Sequence, residues 1–356
     1  MIQGLVSVIT PTYNCGRFIA ETIEAVQAQT YENWEMCIVD DCSTDDTRVV
    51  VAGYAEKDSR IHVIHQANGG LSAARNSGID WVMANSNSSW ICFVDSDDLI
   101  HPQMLQLLYT AAVAGNAPIS MCRMLEAAAL PENFRDPQEA QFEVLTMDEE
   151  TLLKLHDADA YPAWVACAKL IRRDLVENYP FREGRVYEDN EAVCRWICEA
   201  NRLARTKEEL YFYRGNPDST TKSNFSIKRL DYLWALESMI GHYTALGYRD
   251  LRQRFLDRYI DAAVSCCNGV RHVLGQPKLV KTMEKQVRGF LRKGCFSLTR
   301  QQFEALLDAM HPEIMWLYWP VSGAVFTLRE QGISGQTLAK NLGVDPDEVL
   351  LTNGSD

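Results

Sequence analysis

The chain has 356 residues, 47% hydrophobic and 23% charged, with a formal net charge of −13. Those figures describe an ordinary globular protein of one large or two smaller domains, and exclude a fibrous, repeat or disordered chain. No nucleic-acid partner is expected.

The N-terminal stretch MIQGLVSVITPTYN has no basic leader and no small-residue cleavage site, so it reads as a buried strand that breaks at Pro11. The late apolar stretch Met315–Leu328 holds Pro320, Ser322 and Gly323 and falls short of the ~20 residues a spanning helix needs. No transmembrane segment is expected. The eleven cysteines are odd in number and scattered through apparent strands and helices, which reads as buried free thiols of a reducing compartment. Cys194 and Cys198 stand at helical spacing, but no second ligand pair accompanies them, which speaks against a zinc site. A cytoplasmic protein is expected. Residues 222–300 hold fifteen Lys/Arg against six Asp/Glu, so this part could lie on an anionic membrane at its inner face. A solvated helical surface balancing an acidic partner domain explains the same charge.

In chain order, Leu5–Thr10 reads as a strand, and Phe18, Ile19, Ile23 and Val26 then recur at helical spacing. Glu35–Asp40 is a second strand, followed by Ser43–Asp46, which can cap a helix running toward Glu56. Ile61–His65 is a third strand, Asn68-Gly69-Gly70 a turn and Leu71–Met83 a helix. Trp90–Val94 is a fourth strand, followed by a helix over Pro102–Ala114 and a strand over Ile119–Met124. Pro131–Glu143 reads as a loop. Thr146–His156, Lys169–Glu177 and Val186–Ala200 read as helices, and Leu210–Arg214 as a strand. Beyond Asn224 the pattern is helical almost throughout, with Leu230, Leu233, Trp234, Ile240, Tyr243 and Leu246 on one stripe. The expected division is therefore 1–225 and a mainly helical 226–356.

Alternation of strands and helices predicts an α/β fold whose mostly parallel sheet is covered on both faces. Ligands of such sheets bind at the carboxyl ends of the strands. Three polar clusters stand there: Pro11–Asn14, Asp40–Asp45 and Asp95–Asp98. Asp95-Ser96-Asp97-Asp98 sets three carboxylates in four residues at the end of a buried strand. They repel one another unless a cation neutralises them, and hard oxygen ligands suit Mg²⁺ or Mn²⁺ bridging a diphosphate. Asp41 can accept hydrogen bonds from a base or ribose, or cap a helix. Tyr13 can stack on a nucleobase, or be a half-buried aromatic. Glu188-Asp189 opens a predicted helix, where an acid can complement the helix dipole or serve as a general base.

Together these segments resemble glycosyltransferase family 2. The stretches that carry the resemblance are Ser7–Asn14 (SVITPTYN), Gln29-Thr30-Tyr31, Ile38–Thr47 (IVDDCSTDDT), Asn68–Gly78 (NGGLSAARNSG), Phe93–Leu99 (FVDSDDL) and Tyr187-Glu188-Asp189, over roughly residues 4–220. The resemblance implies a GT-A catalytic domain with a C-terminal helical appendage. It implies an inverting transfer from a nucleotide diphosphate sugar, often a UDP-sugar, to a glycan or lipid-linked acceptor, with surface polysaccharide synthesis as the family default. Pro11, Tyr13 and Asp41 then match the nucleoside pocket. Asp95 and Asp97 occupy the DXD positions for ribose and a Mn²⁺ or Mg²⁺ ion, with Asp98 sharing that duty. Asp189 matches the general base. Arg75 lies in a matching stretch, as a substrate-binding residue or a brace for the sheet, and Trp164 stands where an aromatic meets the acceptor sugar, or is a core tryptophan. Two features depart from the pattern. Where some relatives carry a His after the late strand, this chain has Tyr213-Arg214-Gly215-Asn216, so that ligand is absent or replaced by Arg214. Asn216–Lys222 could close over the donor, or be an ordinary surface loop.

Two other classes share parts of this pattern. A dinucleotide-binding oxidoreductase would need a Gly-x-Gly-x-x-Gly turn where Pro11-Thr12-Tyr13-Asn14 stands. A catalytically silent sugar-nucleotide or glycan-binding subunit would have no use for intact acidic clusters.

Overall fold

A computed structural model describes residues 4–127, 141–157, 163–215, 225–294, 296 and 298–310. The candidate loop at 216–222, the stretch 315–328 and most of the expected loop at 131–143 lie outside the described residues. The chain divides into two compact units, Met1–Lys222 with Gly241–Leu251, and Ser223–Ile240 with Arg252–Asp356.

The first unit is built on nine strands: β1 (Val6–Thr12), β2 (Trp34–Asp40), β3 (Ile61–His65), β4 (Trp90–Phe93), β5 (Leu99–Ile100), β6 (Ile119–Glu126), β7 (Phe142–Thr146), β8 (Lys169–Arg172) and β9 (Arg202–Tyr213). They form one mixed sheet of order β3-β2-β1-β4-β8-β6-β9-β5, with β7 pairing on β9. The β3, β2, β1 and β4 part is parallel throughout, and β8 and β5 enter antiparallel. Helices α1 (Ile19–Gln27), α2 (Thr47–Ala55), α3 (Leu71–Asn85), α4 (Met104–Ala114), α5 (Glu149–Asp157), α6 (Arg173–Asn178) and α7 (Glu188–Ala200) connect them. All seven residues of β1 are buried, as a parallel strand covered on both faces requires. The register sets Thr12 beside Asp40 and Ile9 beside Phe93, so β1, β2 and β4 end along one edge.

The second unit begins with a short 3-10 turn at Ile227–Leu230. Parts of α8 (Asp231–Ala245) and α9 (Arg249–Asn268), then α10 (Pro277–Lys293) and α11 (Arg300–Met310), complete it. The turn between α8 and α9 belongs to the first unit. Tyr248 Oη donates to the Met147 carbonyl at 3.1 Å, and Glu149 Oε1 accepts from the backbone N–H groups of Asp250 and Leu251 at 2.7 and 3.0 Å. No helix among the described residues is long and apolar enough to cross a membrane. The ten described cysteines are free, and all but Cys42 are buried.

Three expectations from periodicity are corrected. Lys169–Glu177 is not one helix: β8 covers Lys169–Arg172 and α6 begins at Arg173. Leu170 and Ile171 are wholly buried between β4 and β6, and a short apolar run buried on two sides carries no period of its own. The late strand begins at Arg202 rather than Leu210, its first half disguised by Arg205, Lys207, Glu208 and Glu209. The helix expected from Thr146 begins at Glu149, because Phe142–Thr146 pairs on β9.

Helix α3 lies tight against the sheet. A Cβ added at Gly78 would meet Ile9 Cγ2 at 2.5 Å and Val39 Cγ2 at 3.3 Å, whereas at Gly53 of α2 it would meet nothing. Gly78→Val is expected to lower the unfolding free energy by about 2 kcal/mol or more through overpacking. Gly53→Ala is expected to be neutral or stabilising by up to about 1 kcal/mol. Urea unfolding of both variants checks the pair; equal midpoints would contradict the close α3 contact.

Candidate active site

The segment between β4 and β5 carries the acidic cluster, and α1 pins its backbone. Thr22 Oγ1 donates to the carbonyls of Ser96 and Asp98, both at 2.9 Å, and Cys15 Sγ donates to the Ser96 carbonyl at 3.3 Å. The three carboxylates then divide. Asp98 has no exposed surface: its oxygens accept from Tyr211 Oη at 2.7 Å and from the Arg214 backbone N–H at 2.9 Å. Burial, with the neighbouring charge of Asp95, pushes its carboxyl up to about 8. Asp95 and Asp97 are only half-buried. The same Tyr211 hydroxyl accepts from the Asp95 N–H at 3.1 Å, so β9 holds both ends of the cluster.

From α3, Arg75 reaches into this edge, and its residue is only 3% exposed. Nη2 donates to Asp95 Oδ1 at 3.0 Å and Nη1 to Glu188 Oε1 at 2.8 Å. Burial opposes the guanidinium charge, but Asp95 and Glu188 outweigh it and raise the Arg75 pKa. Glu188 is itself pushed up to about 7 by burial, against the pull of Arg75 and with the push of Asp189 and Asp95. Asp189 follows in the first turn of α7, where its Oδ1 accepts from the Asn190 N–H at 2.8 Å. The residue before the pair, Tyr187, holds a left-handed backbone at φ 63°, a conformation an aromatic residue rarely takes. One guanidinium thus ties two acids that stand 93 positions apart in the sequence.

Asp41 is buried at the end of β2 and shapes the turn before α3. Its Oδ1 accepts from Gln66 Nε2 and the Gly69 N–H, and its Oδ2 from the Gly70 N–H, each at 2.8 Å. A carboxylate oxygen can accept two hydrogen bonds, so among the described residues Oδ2 keeps one position for a ligand. Pro11 is buried within β1, and Tyr13, just beyond that strand, is 53% exposed. Beside them the loops after β1 and β2 interlock: Asn14 N–H donates to Ser43 Oγ at 2.9 Å and Gly16 N–H to Asp45 Oδ2 at 2.9 Å. Asp45 Oδ1 also accepts from the Thr47 N–H at 3.0 Å at the start of α2.

Trp164 stands apart from this chain of contacts. Among the described residues its ring stacks on His156 at 3.8 Å, with 7° between planes. Arg214 is nearly buried; its guanidinium pairs with Glu21 at 2.6 Å and lies over the Phe18 ring at 4.7 Å.

Among the described residues, no three His, Cys, Asp or Glu side chains gather into a ready metal cage. The half-buried carboxylates of Asp95 and Asp97 are nevertheless a suitable donor set. A Mg²⁺-type ion commonly takes one or two protein carboxylates and completes its shell with phosphate and water.

Sequence reasoning singled out Asp41, Arg75, Asp95 and Asp189 but not the contacts among them. It missed the role of Glu188 as the second partner of Arg75. It also missed Tyr211, whose signal was only a tyrosine in a late strand. Lys169 went unremarked too: it is wholly buried, and its Nζ donates to the Val165 carbonyl at 2.7 Å and the Cys167 carbonyl at 3.4 Å. Burial lowers its pKa to about 8.

Comparison with known proteins agrees with this architecture. The family described as glycosyl transferase family 2 matches residues 7–179. An uncharacterized glycosyltransferase of Bacillus subtilis, EpsJ, is 32% identical over 295 residues, covering 81% of this chain and 83% of its own. TuaG of the same organism, a putative teichuronic acid biosynthesis glycosyltransferase, is 44% identical over 97 residues, 27% of this chain and 37% of its own. Among solved structures, Staphylococcus aureus TarS 1-349 in complex with UDP-GlcNAc matches with a TM-score of 0.61 at 16% identity. That match covers 91% of this chain and 99% of TarS 1-349. It shares the GT-A arrangement, a mixed sheet with flanking helices followed by a helical region. The extent of the EpsJ match and the agreement of the family's segments with these strand ends show that the chain belongs to glycosyltransferase family 2 and is a glycosyltransferase.

Proposed function

We propose that the protein carries out an inverting transfer of a sugar from a nucleotide diphosphate sugar, a UDP-sugar by preference, to a hydroxyl of a glycan or lipid-linked acceptor. The observation that carries this reading is the Asp95–Arg75–Glu188 chain, which brings the end of β4 and the head of α7 to one place. TarS, which shares the fold, is solved with UDP-GlcNAc, and TuaG is named for teichuronic acid synthesis; both support a nucleotide-sugar donor and a surface-polymer acceptor.

In this reading Asp95 and Asp97 would hold a Mn²⁺ or Mg²⁺ ion. When bound, such an ion supplies positive charge against the diphosphate that departs. Asp98 fixes the segment from beneath, its carboxyl turned onto Tyr211 and Arg214. Pro11, Tyr13 and the free position on Asp41 Oδ2 receive the nucleoside. Asp189 takes the proton of the acceptor hydroxyl as that oxygen attacks the anomeric carbon, and the nucleotide diphosphate leaves from the opposite face. The attack is a single displacement, so the anomeric configuration inverts. Arg75 keeps Asp95 and Glu188 in register, and Trp164 offers a ring face toward the acceptor.

A panel of nucleotide sugars, screened with Mn²⁺ for thermal stabilisation and for release of the nucleotide diphosphate, tests the reading. Asp97→Asn is expected to lose metal-dependent stabilisation and turnover together. Asp189→Asn is expected to keep donor binding and lose turnover by about 10²–10⁴-fold, the range of general-base catalysis. Normal turnover in the second variant would remove Asp189 from its role. Stabilisation of the wild type without any turnover would support the silent binding subunit instead.

The acid pair also has a pH signature. Glu188 moves from 4.5 in the unfolded chain to about 7 in the fold, so folding takes up a proton between those values. The stability of the protonated carboxyl is therefore full below pH 4.5 and declines as pH rises to about 7. In metal-free buffer, Glu188→Gln is expected to lose less stability than the wild type over that interval. A stability difference that stays constant with pH would contradict the shift.

A further inference from the structure

The second unit carries a surface made of none of the residues assigned above to the sugar chemistry. Helix α10 is sharply two-sided. Val280, Met283, Val287 and Leu291 are buried, while its exposed charged residues are Lys278, Lys281, Lys285, Arg292 and Lys293. At 100° per residue those five fall within an arc of roughly 120°, opposite the buried stripe. The only acid of the helix, Glu284, is tied to Arg288 at 3.2 Å, both largely buried. Seventeen residues extend the cationic stripe over about 25 Å.

An apolar tip adjoins the stripe. Val273, four residues before α10, is 60% exposed. Ile227, in the 3-10 turn with exposed Lys228, is 52% exposed. Packing of the Phe225 ring against Gly269 and a 3.8 Å hydrogen bond from Cys266 Sγ to the Arg229 carbonyl bring that turn to the same end of α9. These two are the exposed large apolar side chains among the described residues of this unit, and both are aliphatic.

We propose that this face docks the protein on an anionic phospholipid surface, with α10 along the headgroups and Val273 and Ile227 dipping into the interface. The chemistry selects this partner. Four of the five exposed cations are lysines, point charges that suit a diffuse array of headgroups better than the bidentate recognition for which arginine is used. A single-stranded nucleic acid would call for stacking aromatics, and no Phe, Tyr or Trp is exposed among the described residues of this unit. A long cationic stripe with an aliphatic tip is the pattern of an interfacial helix. In a chain of net charge −13, the cationic face also orients the protein on a negative surface.

The test is co-sedimentation of the full chain with vesicles of phosphatidylglycerol and phosphatidylcholine, beside vesicles of phosphatidylcholine alone. Binding to the anionic vesicles only, weakened by salt, is expected. Each basic residue near such a surface contributes about fivefold in affinity, so Lys278→Glu, Lys281→Glu and Lys285→Glu together are expected to weaken binding at least about a hundredfold. Val273→Asp is expected to weaken it at unchanged salt dependence. Lys57→Glu with Lys207→Glu, on the first unit, lowers the net charge in the same direction and is expected to leave binding intact. Unchanged circular dichroism separates lost binding from lost folding. Absence of wild-type binding, equal binding by the triple variant, or binding of polyphosphate or DNA without binding of vesicles would each overturn the proposal. None of these outcomes depends on which sugar the protein transfers.

Discussion

A buried guanidinium is tolerable only where its charge is met, and Arg75 sets the terms for everything around it. Taking it out of water is costly, and the two carboxylates at 2.8 and 3.0 Å offset that cost. Those carboxylates belong to the segment after β4 and to the head of α7, which the stacking of Phe93 on Trp196 also draws together. The arginine in turn has to be delivered at the right height, which is the task of α3. The N-terminus of α3 is fixed because Asp41 gathers the N–H groups of Gly69 and Gly70. A continuous path therefore runs from the end of β2, through the turn and α3, to the ends of β4 and the head of α7. Removing Arg75 would leave two acids facing each other, a larger disturbance than the loss of two hydrogen bonds.

The mixed half of the sheet completes the arrangement from below. Tyr211 of β9 uses one hydroxyl twice, accepting from the Asp95 N–H and donating to Asp98. Three acids in four residues would otherwise repel as a group. Here burial raises the proton affinity of Asp98, which relieves the mutual repulsion, while Asp95 and Asp97 keep access to solvent. The acids are equivalent in the sequence and different in the fold, because the carboxyl of Asp98 is the one buried against Tyr211 of β9.

This difference marks what could be read in advance. The parallel strands were legible because their residues are apolar without interruption and end in polar clusters; Ile61–His65 matches residue for residue. The chain positions of Asp41, Arg75, Asp95 and Asp189 were legible through the resemblance of the segments that hold them. The inward turn of Asp98 was not, since it depends on a tyrosine 113 positions away. Nor was β8, whose buried lysine looks polar in the sequence but hydrogen-bonds the carbonyls of its own preceding loop. In each case a long-range pairing overrode a local pattern.

The breaches of local preference themselves converge on the same edge. Apart from asparagines, which tolerate the left-handed region, three non-glycine residues take positive φ among the described residues: Cys42, Ala168 and Tyr187. Cys42 follows Asp41. Ala168 follows Cys167, which bridges to Phe93 at the end of β4, and Tyr187 precedes Glu188. Backbone strain of this kind costs on the order of 1–3 kcal/mol per residue and persists only where surrounding contacts over-determine it. The buried ions Arg75 and Lys169 and the buried carboxyl of Asp98 belong to the same neighbourhood, linked through the electrostatic influence of Asp95 and Asp98 on Cys167 and of Asp189 on Lys169. Strained backbone and buried charge of this kind cluster at functional sites. Their coincidence argues, without appeal to any relative, that this edge is held in place for chemistry.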